Sequence, residues 1–140
     1  MTETLAHFKG VGLAANQVGR GQALFLMQDS EMGIPLAIAN PFILKEANKV
    51  EMIEGCLSLP GVAAKVGRWE YIKIRCHVAQ SYVNKWGEEE LEFIGLRAQI
   101  AQHEIDHLMG RIFPDRLDFV TKHSLLSVFS RPNSGLSVVK

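Results

Sequence analysis

No stretch of the sequence approaches the ~18 uninterrupted apolar residues that a membrane span requires. The longest apolar runs, residues 23–27 and 36–39, are strand-sized. Only two cysteines occur, Cys56 and Cys76, too few for the disulfide framework of a small secreted domain. A basic excess is also missing, since fifteen Lys+Arg balance fifteen Asp+Glu, which speaks against a bulk nucleic-acid binder. With 47% hydrophobic and 21% charged residues, the low hydrophobicity and high net charge of a disordered chain are absent too. The opening MTETLAHFKG has neither the layout of a signal peptide nor the Arg/Ser richness of a transit peptide. Internal repeats, low-complexity tracts and linkers are lacking. What is left is a soluble protein of a reducing compartment, read as one domain over residues 1–140. Neither a membrane nor direct nucleic-acid binding is expected, and the balanced composition favours a monomer.

The periodicity present is of two kinds. Residues 5–9 read as the end of a helix entering the turn Gly10-Val11-Gly12. Residues 23–28 and 36–39 read as short buried strands, with Asp29, Ser30 and Gly33 turning the chain between them and Asn40-Pro41 turning it again. In residues 71–78, Ile72, Ile74, Cys76 and Val78 share one parity, while Lys73, Arg75 and His77 share the other, as a half-buried strand requires. A turn from Asn84 to Gly87 then leads to Leu91 and Phe93 facing one way and Glu90 and Glu92 the other, which makes an antiparallel hairpin. Glu88, Glu89 and Glu90 are its solvated edge. Residues 95–109 form the strongest helix, stopped by Gly110. Apolar residues occupy most of its sides, so it belongs inside the fold with its histidines buried. A second helix is expected from 115 to 130, and residues 136–139 form a strand or a loose tail. The fold class is α+β, with antiparallel or mixed β-sheets packed around a central helix.

That central helix carries the chemistry. In His103-Glu104-Ile105-Asp106-His107, two histidines four apart project side by side and can grip one metal ion, with Glu104 beside the open position. A metal lowers the pKa of water to ~7, and a neighbouring carboxylate can take the remaining proton. Two histidines can fall four apart by chance, but burying them with a carboxylate is costly unless something satisfies them. The third ligand separates the classes of such sites. Proteases that take a downstream Glu are excluded, because no Glu follows Glu104; those that take a third His after the glycine meet Phe113 there. Asp118 and His123 lack a recognised spacing. Upstream, Cys56 in Glu54-Gly55-Cys56-Leu57-Ser58 supplies a thiolate, which makes a Cys-His-His set with one position left for water. Leu57 then offers a main-chain N–H beside it. Cys76 fits its strand as a small core residue. In Gly10-Val11-Gly12-Leu13-Ala14-Ala15-Asn16-Gln17, the small residues allow close approach of the backbone, and Gln17 can present an amide to a developing oxyanion.

Together GVGLAANQ, EGCLS and HEIDHLMG resemble the three signature motifs of peptide deformylases, in the family's order, over residues 10–117. The resemblance implies that Cys56, His103 and His107 bind a metal, typically Fe(II), with Zn(II), Ni(II) or Co(II) as replacements. Glu104 would be the general base, with Gln17 and the Leu57 N–H holding the formyl oxygen. The substrates implied are N-formylmethionyl nascent peptides, and the products are formate and a free amino terminus. Val11, Met52, Leu96 and Ile100 would line the methionine pocket, and the backbone of Gly10, Gly12 and Gly61 would pair with the peptide as an added strand. Glu54 and Arg68 match charged family positions as an ion pair steadying the cysteine loop or lying on the surface. The chain also departs from the family pattern. Only nine residues precede Gly10, and Ala63 stands where several members carry Arg. Residues 111–140 hold five Lys+Arg against two Asp+Glu, not the strongly basic helix with which bacterial members meet the ribosome. The implied location is the cytoplasm, of a bacterium or of a host if phage-encoded. An amidase for another N-acyl group, and a metal-stabilised binding module, are the competing readings; Glu104 and Gln17 speak against the second, since a structural metal needs neither.

Overall fold

The computed structural model describes residues 1–28, 34–80, 85–129 and 137–139. Helix α1 (Thr2–His7) leads into strand β1 (Gly12–Ala14) and a 3-10 turn (Ala15–Val18). Strands β2 (Leu24–Gln28), β3 (Pro35–Cys56), β4 (Leu59–Gln80) and β5 (Lys85–Ile94) follow. The chain continues through helix α2 (Leu96–Leu108), a 3-10 turn (Phe113–Arg116), helix α3 (Phe119–Phe129) and strand β6 (Ser137–Val139). The sheet is six-stranded, antiparallel in the order β1-β2-β3-β4-β5, with β6 pairing parallel to β4. This is the expected α+β class. The turns anticipated at Asp29, Ser30 and Gly33, the start of the Asn84–Gly87 turn, the last residue of the 115–130 helix and Leu136 lie outside the described residues, whereas Lys85, Trp86 and Gly87 are not turn but the start of β5, paired with Gln80, Ala79 and Val78.

The β4–β5 hairpin follows from its alternation. Ile72 stands opposite Phe93 and Ile74 opposite Leu91, while Lys73 and Arg75 face Glu92 and Glu90. Lys73 reaches Glu90 at 2.9 Å on the wet face. On the dry face Ile72, Ile74, Cys76 and Phe93 join Phe25, Met27 and Ile38 from β2 and β3 to receive Ala98, Ile100, Ala101 and Ile105 of α2. Full burial of each large side chain here contributes about 1.5–3 kcal/mol.

Polar side chains fix α2 against the strands. The Gln102 amide donates to the Trp69 carbonyl at 2.8 Å and its oxygen accepts from the Trp69 N–H at 3.0 Å. Gln99 donates to the Ile53 carbonyl at 2.8 Å. At the helix end, Arg111 N–H reaches the Asp106 carbonyl and Gly110 N–H the His107 carbonyl, with Gly110 at φ 73°. That paired closure requires a left-handed residue, which is why the helix stops at this glycine.

Three expectations are corrected. Asn40-Pro41 does not end a strand. Strand β3 runs through it with a register shift between Ala39 and Phe42, and Asn40 has φ 50°. A bulge tolerates a proline because it leaves that ladder position unpaired. The expected strands at 36–39 and 71–78 are parts of two 22-residue strands. The second C-terminal helix starts at Phe119 rather than 115, because Asp118 Oδ1 accepts the N–H groups of Val120 and Thr121 and so begins the helix there.

Candidate metal centre and active site

The three sequence motifs converge. Helix α2 presents His103, Glu104 and His107, the end of β3 presents Cys56, and β1 with its 3-10 turn brings Gly12 and Gln17. Cys56 Sγ lies 3.2 Å from His107 Nε2, which lies 3.1 Å from His103 Nε2. All three ligand atoms fall within 4.8 Å of one another, the spacing of donors around one ion.

Two imidazole nitrogens and a sulfur held this close need a positive charge between them. Burial alone would push the Cys56 thiol up, but hydrogen bonds and charge from His103 and His107 bring it down to about 6. Burial would lower His103; hydrogen bonds from Cys56 and Glu54 instead raise it to about 10. The trio therefore rests as thiolate and imidazolium when protons are the only cations available. A divalent metal replaces those protons, and one thiolate with two imidazoles suits Fe(II), Zn(II), Ni(II) or Co(II). Cys76 differs in every respect. It is sealed in the core, where burial pushes its thiol up to about 11.

A buried ion network holds the ligands in place. His103 Nδ1 lies 3.0 Å from Glu54 Oε2, which fixes the ring so that Nε2 faces the cluster. Arg68 donates to both Glu54 oxygens, at 2.6 and 2.9 Å, and to Asp106 Oδ2 at 2.6 Å. Arg116 closes the chain on Asp106, with Nε at 3.0 Å and Nη2 on the other oxygen. Arg68 is 2% and Glu54 4% exposed, so the pair is internal and not a surface contact. Burial would raise the Glu54 carboxyl, but Arg68 and His103 hold it at about 2. The Asp106 and Arg116 members went unread in sequence. The signal was Gln99, Gln102 and Asp106, polar residues three and four apart on a helix that is otherwise buried.

Glu104 sits beside this cluster, and burial raises its carboxyl to about 7. Its Oε2 is buried with no hydrogen-bond partner among the described residues. Gly12 packs directly on it, since a Cβ there would come within 2.2 Å of Oε1. Gln17 is aimed inward. Its oxygen accepts from the Ala14 N–H at 2.8 Å, which turns its amide NH2 towards Cys56 Sγ at 3.6 Å and Ser58 Oγ at 3.0 Å. Asn16 Nδ2 donates to the His107 carbonyl and ties this turn to α2.

An open cavity of about 390 Å³ leads from these groups to the surface. Gly10, Val11, Gly12, Gly61, Leu96 and Ile100 line it, together with Gln17, Cys56, Leu57, His103 and Glu104. Met52 does not. Its neighbour Ile53 lines the cavity instead, because successive residues of β3 point to opposite faces. His107 is buried and not among the lining residues.

Residues 1–123 match the family model for polypeptide deformylase. A peptide deformylase of Syntrophobacter fumaroxidans is 40% identical over 126 residues, 87% of this chain and 71% of that protein. One from Thermotoga neapolitana is 43% identical over 118 residues, 84% of this chain and 68% of that protein. Among solved structures, a peptide deformylase from Legionella pneumophila superposes with a TM-score of 0.81 at 32% identity, covering 92% of this chain and 74% of that one. A family model that matches residues 1–123, relatives 40% and 43% identical and a solved fold that superposes over most of the chain leave one conclusion: the chain belongs to the polypeptide deformylases, hydrolases that remove the N-formyl group from newly made peptides.

Proposed function

We propose that Cys56, His103 and His107 hold one catalytic metal, Fe(II) in the native enzyme, with Zn(II), Ni(II) or Co(II) able to replace it. When bound, the metal supplies Lewis acidity that makes water a usable nucleophile near neutral pH. The remaining work belongs to the protein. Glu104 accepts a proton from the attacking water and delivers it to the methionine nitrogen as the formyl C–N bond breaks. Formate leaves, and the peptide departs with a free amino terminus. The Gln17 amide and the Leu57 N–H donate to the formyl oxygen as it gains negative charge; one such donor typically contributes ~3–4 kcal/mol to the transition state.

The observation that carries this reading is the Glu104 side chain, buried with one oxygen unpartnered among the described residues beside the three ligand atoms, where burial pushes its carboxyl up. A general base works best when its pKa lies near the working pH. Val11, Leu96, Ile100 and Ile53 form the apolar wall for the methionine side chain, and the backbone of Gly10, Gly12 and Gly61 pairs with the peptide. Recognition through main chain suits an enzyme that meets many different nascent chains in the cytoplasm. Residues 1–140 act as one catalytic domain, working as a monomer.

The test is formate release from formyl-Met-Ala and acetate release from acetyl-Met-Ala by anaerobically purified protein, with metal measured on the same sample. Formate release that far exceeds acetate release, from protein holding one metal equivalent, supports the reading. Equal hydrolysis of both would make the protein a general N-acyl amidase.

A further inference from the structure

The wall of the cavity is apolar or neutral almost throughout, and its charges are nearly all spoken for. Glu54 is locked to Arg68, Glu104 is buried at the base of the site, and His103 belongs to the ligand trio. Lys9 is the exception. It lines the cavity, is exposed, and pairs with no carboxylate among the described residues. It is therefore the one exposed ionised side chain of the lining.

Its position is fixed. Lys9 stands just past α1 at φ 52°, a left-handed conformation that favours glycine, with its N–H on the Ala6 carbonyl at 3.2 Å and the Gly10 N–H on the Leu5 carbonyl at 3.0 Å. Two residues separate it from Gly12, which packs on Glu104, so the Lys9 backbone lies within about 11 Å of the Gly12 backbone. An extended peptide advances ~3.3 Å per residue. Lys9 and Glu104 line the same cavity, so a chain with its formyl group at Glu104 that leaves along the β1 side brings its second or third residue within reach of Lys9.

We infer that Lys9 is a specificity-determining residue, favouring formylated peptides with an acidic side chain at the second or third residue, counting formylmethionine as the first. The inference rests on the deformylase reading above. Main-chain pairing is blind to sequence, whereas an unpaired cation at the mouth adds a charge preference on top of it.

The experiment uses C-terminally amidated formyl-Met tripeptides carrying Asp, Asn or Lys at the second or third position, so that no terminal carboxylate competes for Lys9. At low salt the full-length enzyme should favour Asp over Asn by about two- to fivefold in kcat/KM, the size of a solvent-exposed ion pair. The difference should lie in KM, because such a contact is made equally in ground and transition states. At ~1 M salt, where screening acts within about 3 Å, it should shrink towards unity. K9E should invert the order to Lys over Asp, and K9Q should abolish the Asp preference. Lys9→Gly relieves the left-handed backbone while removing the charge. If Lys9 merely terminated α1, that variant would keep the wild-type ratio, whereas the inference requires the ratio to fall to about one. An Asp/Asn ratio that is the same in wild type, K9Q and K9E would overturn the proposal. Absence of formate from every peptide would overturn the reading beneath it and this inference with it.

Discussion

Gly12→Ala isolates the position of the general base without touching any metal ligand. An added Cβ would stand 2.2 Å from Glu104 Oε1, 2.8 Å from its Cδ and 3.0 Å from its Cγ, and these are the three nearest atoms. Ordinary contact begins near 3.4 Å, so the carboxylate must withdraw by about 1.2 Å. It has little room to do so, being 3% exposed on a helix tied to the strands by Gln99 and Gln102. Misplacing a catalytic group by about 1 Å typically lowers the rate by ~10²-fold, or roughly 2.7 kcal/mol. Steady-state formate release from formyl-Met-Ala should therefore fall about a hundredfold, with one metal equivalent retained. Gly10→Ala is the natural comparison. Its Cβ crowds the tips of Leu57 and Leu5, at 2.7 and 3.0 Å, and meets the Gly12 carbonyl oxygen at an ordinary 3.5 Å; leucine ends can yield, so a smaller loss is expected. Turnover by Gly12→Ala within about threefold of wild type, with its metal in place, would refute the reasoning.

Four further predictions concern the ligands, their support and the metal. Cys56→Ser should lose most bound metal while Cys76→Ser keeps it, as read by elemental analysis; loss of one equivalent from the second variant would mean that the wrong cysteine has been assigned. Arg68→Met should remove the cation shared by two buried carboxylates, leaving Glu54 only His103 and Asp106 only Arg116, and lower stability by about 3–5 kcal/mol in denaturant unfolding, and an unchanged midpoint would show that the network carries no stability. Glu54 contributes stability above the ordinary carboxylate range because its folded pKa is depressed to about 2. That increment, on the order of 3 kcal/mol, should be lost from metal-free wild type as pH falls from about 4.5 towards 2 and be largely absent from Arg68→Met. Iron-loaded enzyme should lose activity in air faster than nickel- or cobalt-loaded enzyme, because oxidation of Fe(II) exposes the Cys56 thiolate to damage; hours of undiminished activity in aerated buffer would make iron the wrong native metal.

The parts legible in sequence were those with one dominant signal. The parity of Ile72, Ile74 and Cys76 placed them on the dry face, and Gly110 marked the end of α2. Strand β3 was harder to read, because residues 42–53 alternate between half-buried and exposed positions and mix charged with apolar side chains on both faces. No period-2 pattern stands out there, and Asn40-Pro41 imitates a turn. The family resemblance puts Met52 in the methionine pocket, but Ile53 lines the cavity instead. Cys56, His103 and His107 could be grouped by chemistry alone, since few arrangements satisfy a thiolate and two buried imidazoles. Asp106 and Arg116 could not, because a buried ion pair depends on which distant residues the sheet brings opposite one another.

The central claim is that Glu104 takes the proton beside a metal held by Cys56, His103 and His107. Its most direct test is formate release per metal equivalent by wild type and Glu104→Gln, purified side by side without oxygen. The substitution keeps the shape of the side chain and removes the proton acceptor. The account predicts one metal equivalent in both proteins and a loss of ~10²–10⁴-fold in kcat for the variant. A metal-loaded Glu104→Gln that turns over within a few-fold of wild type would contradict it.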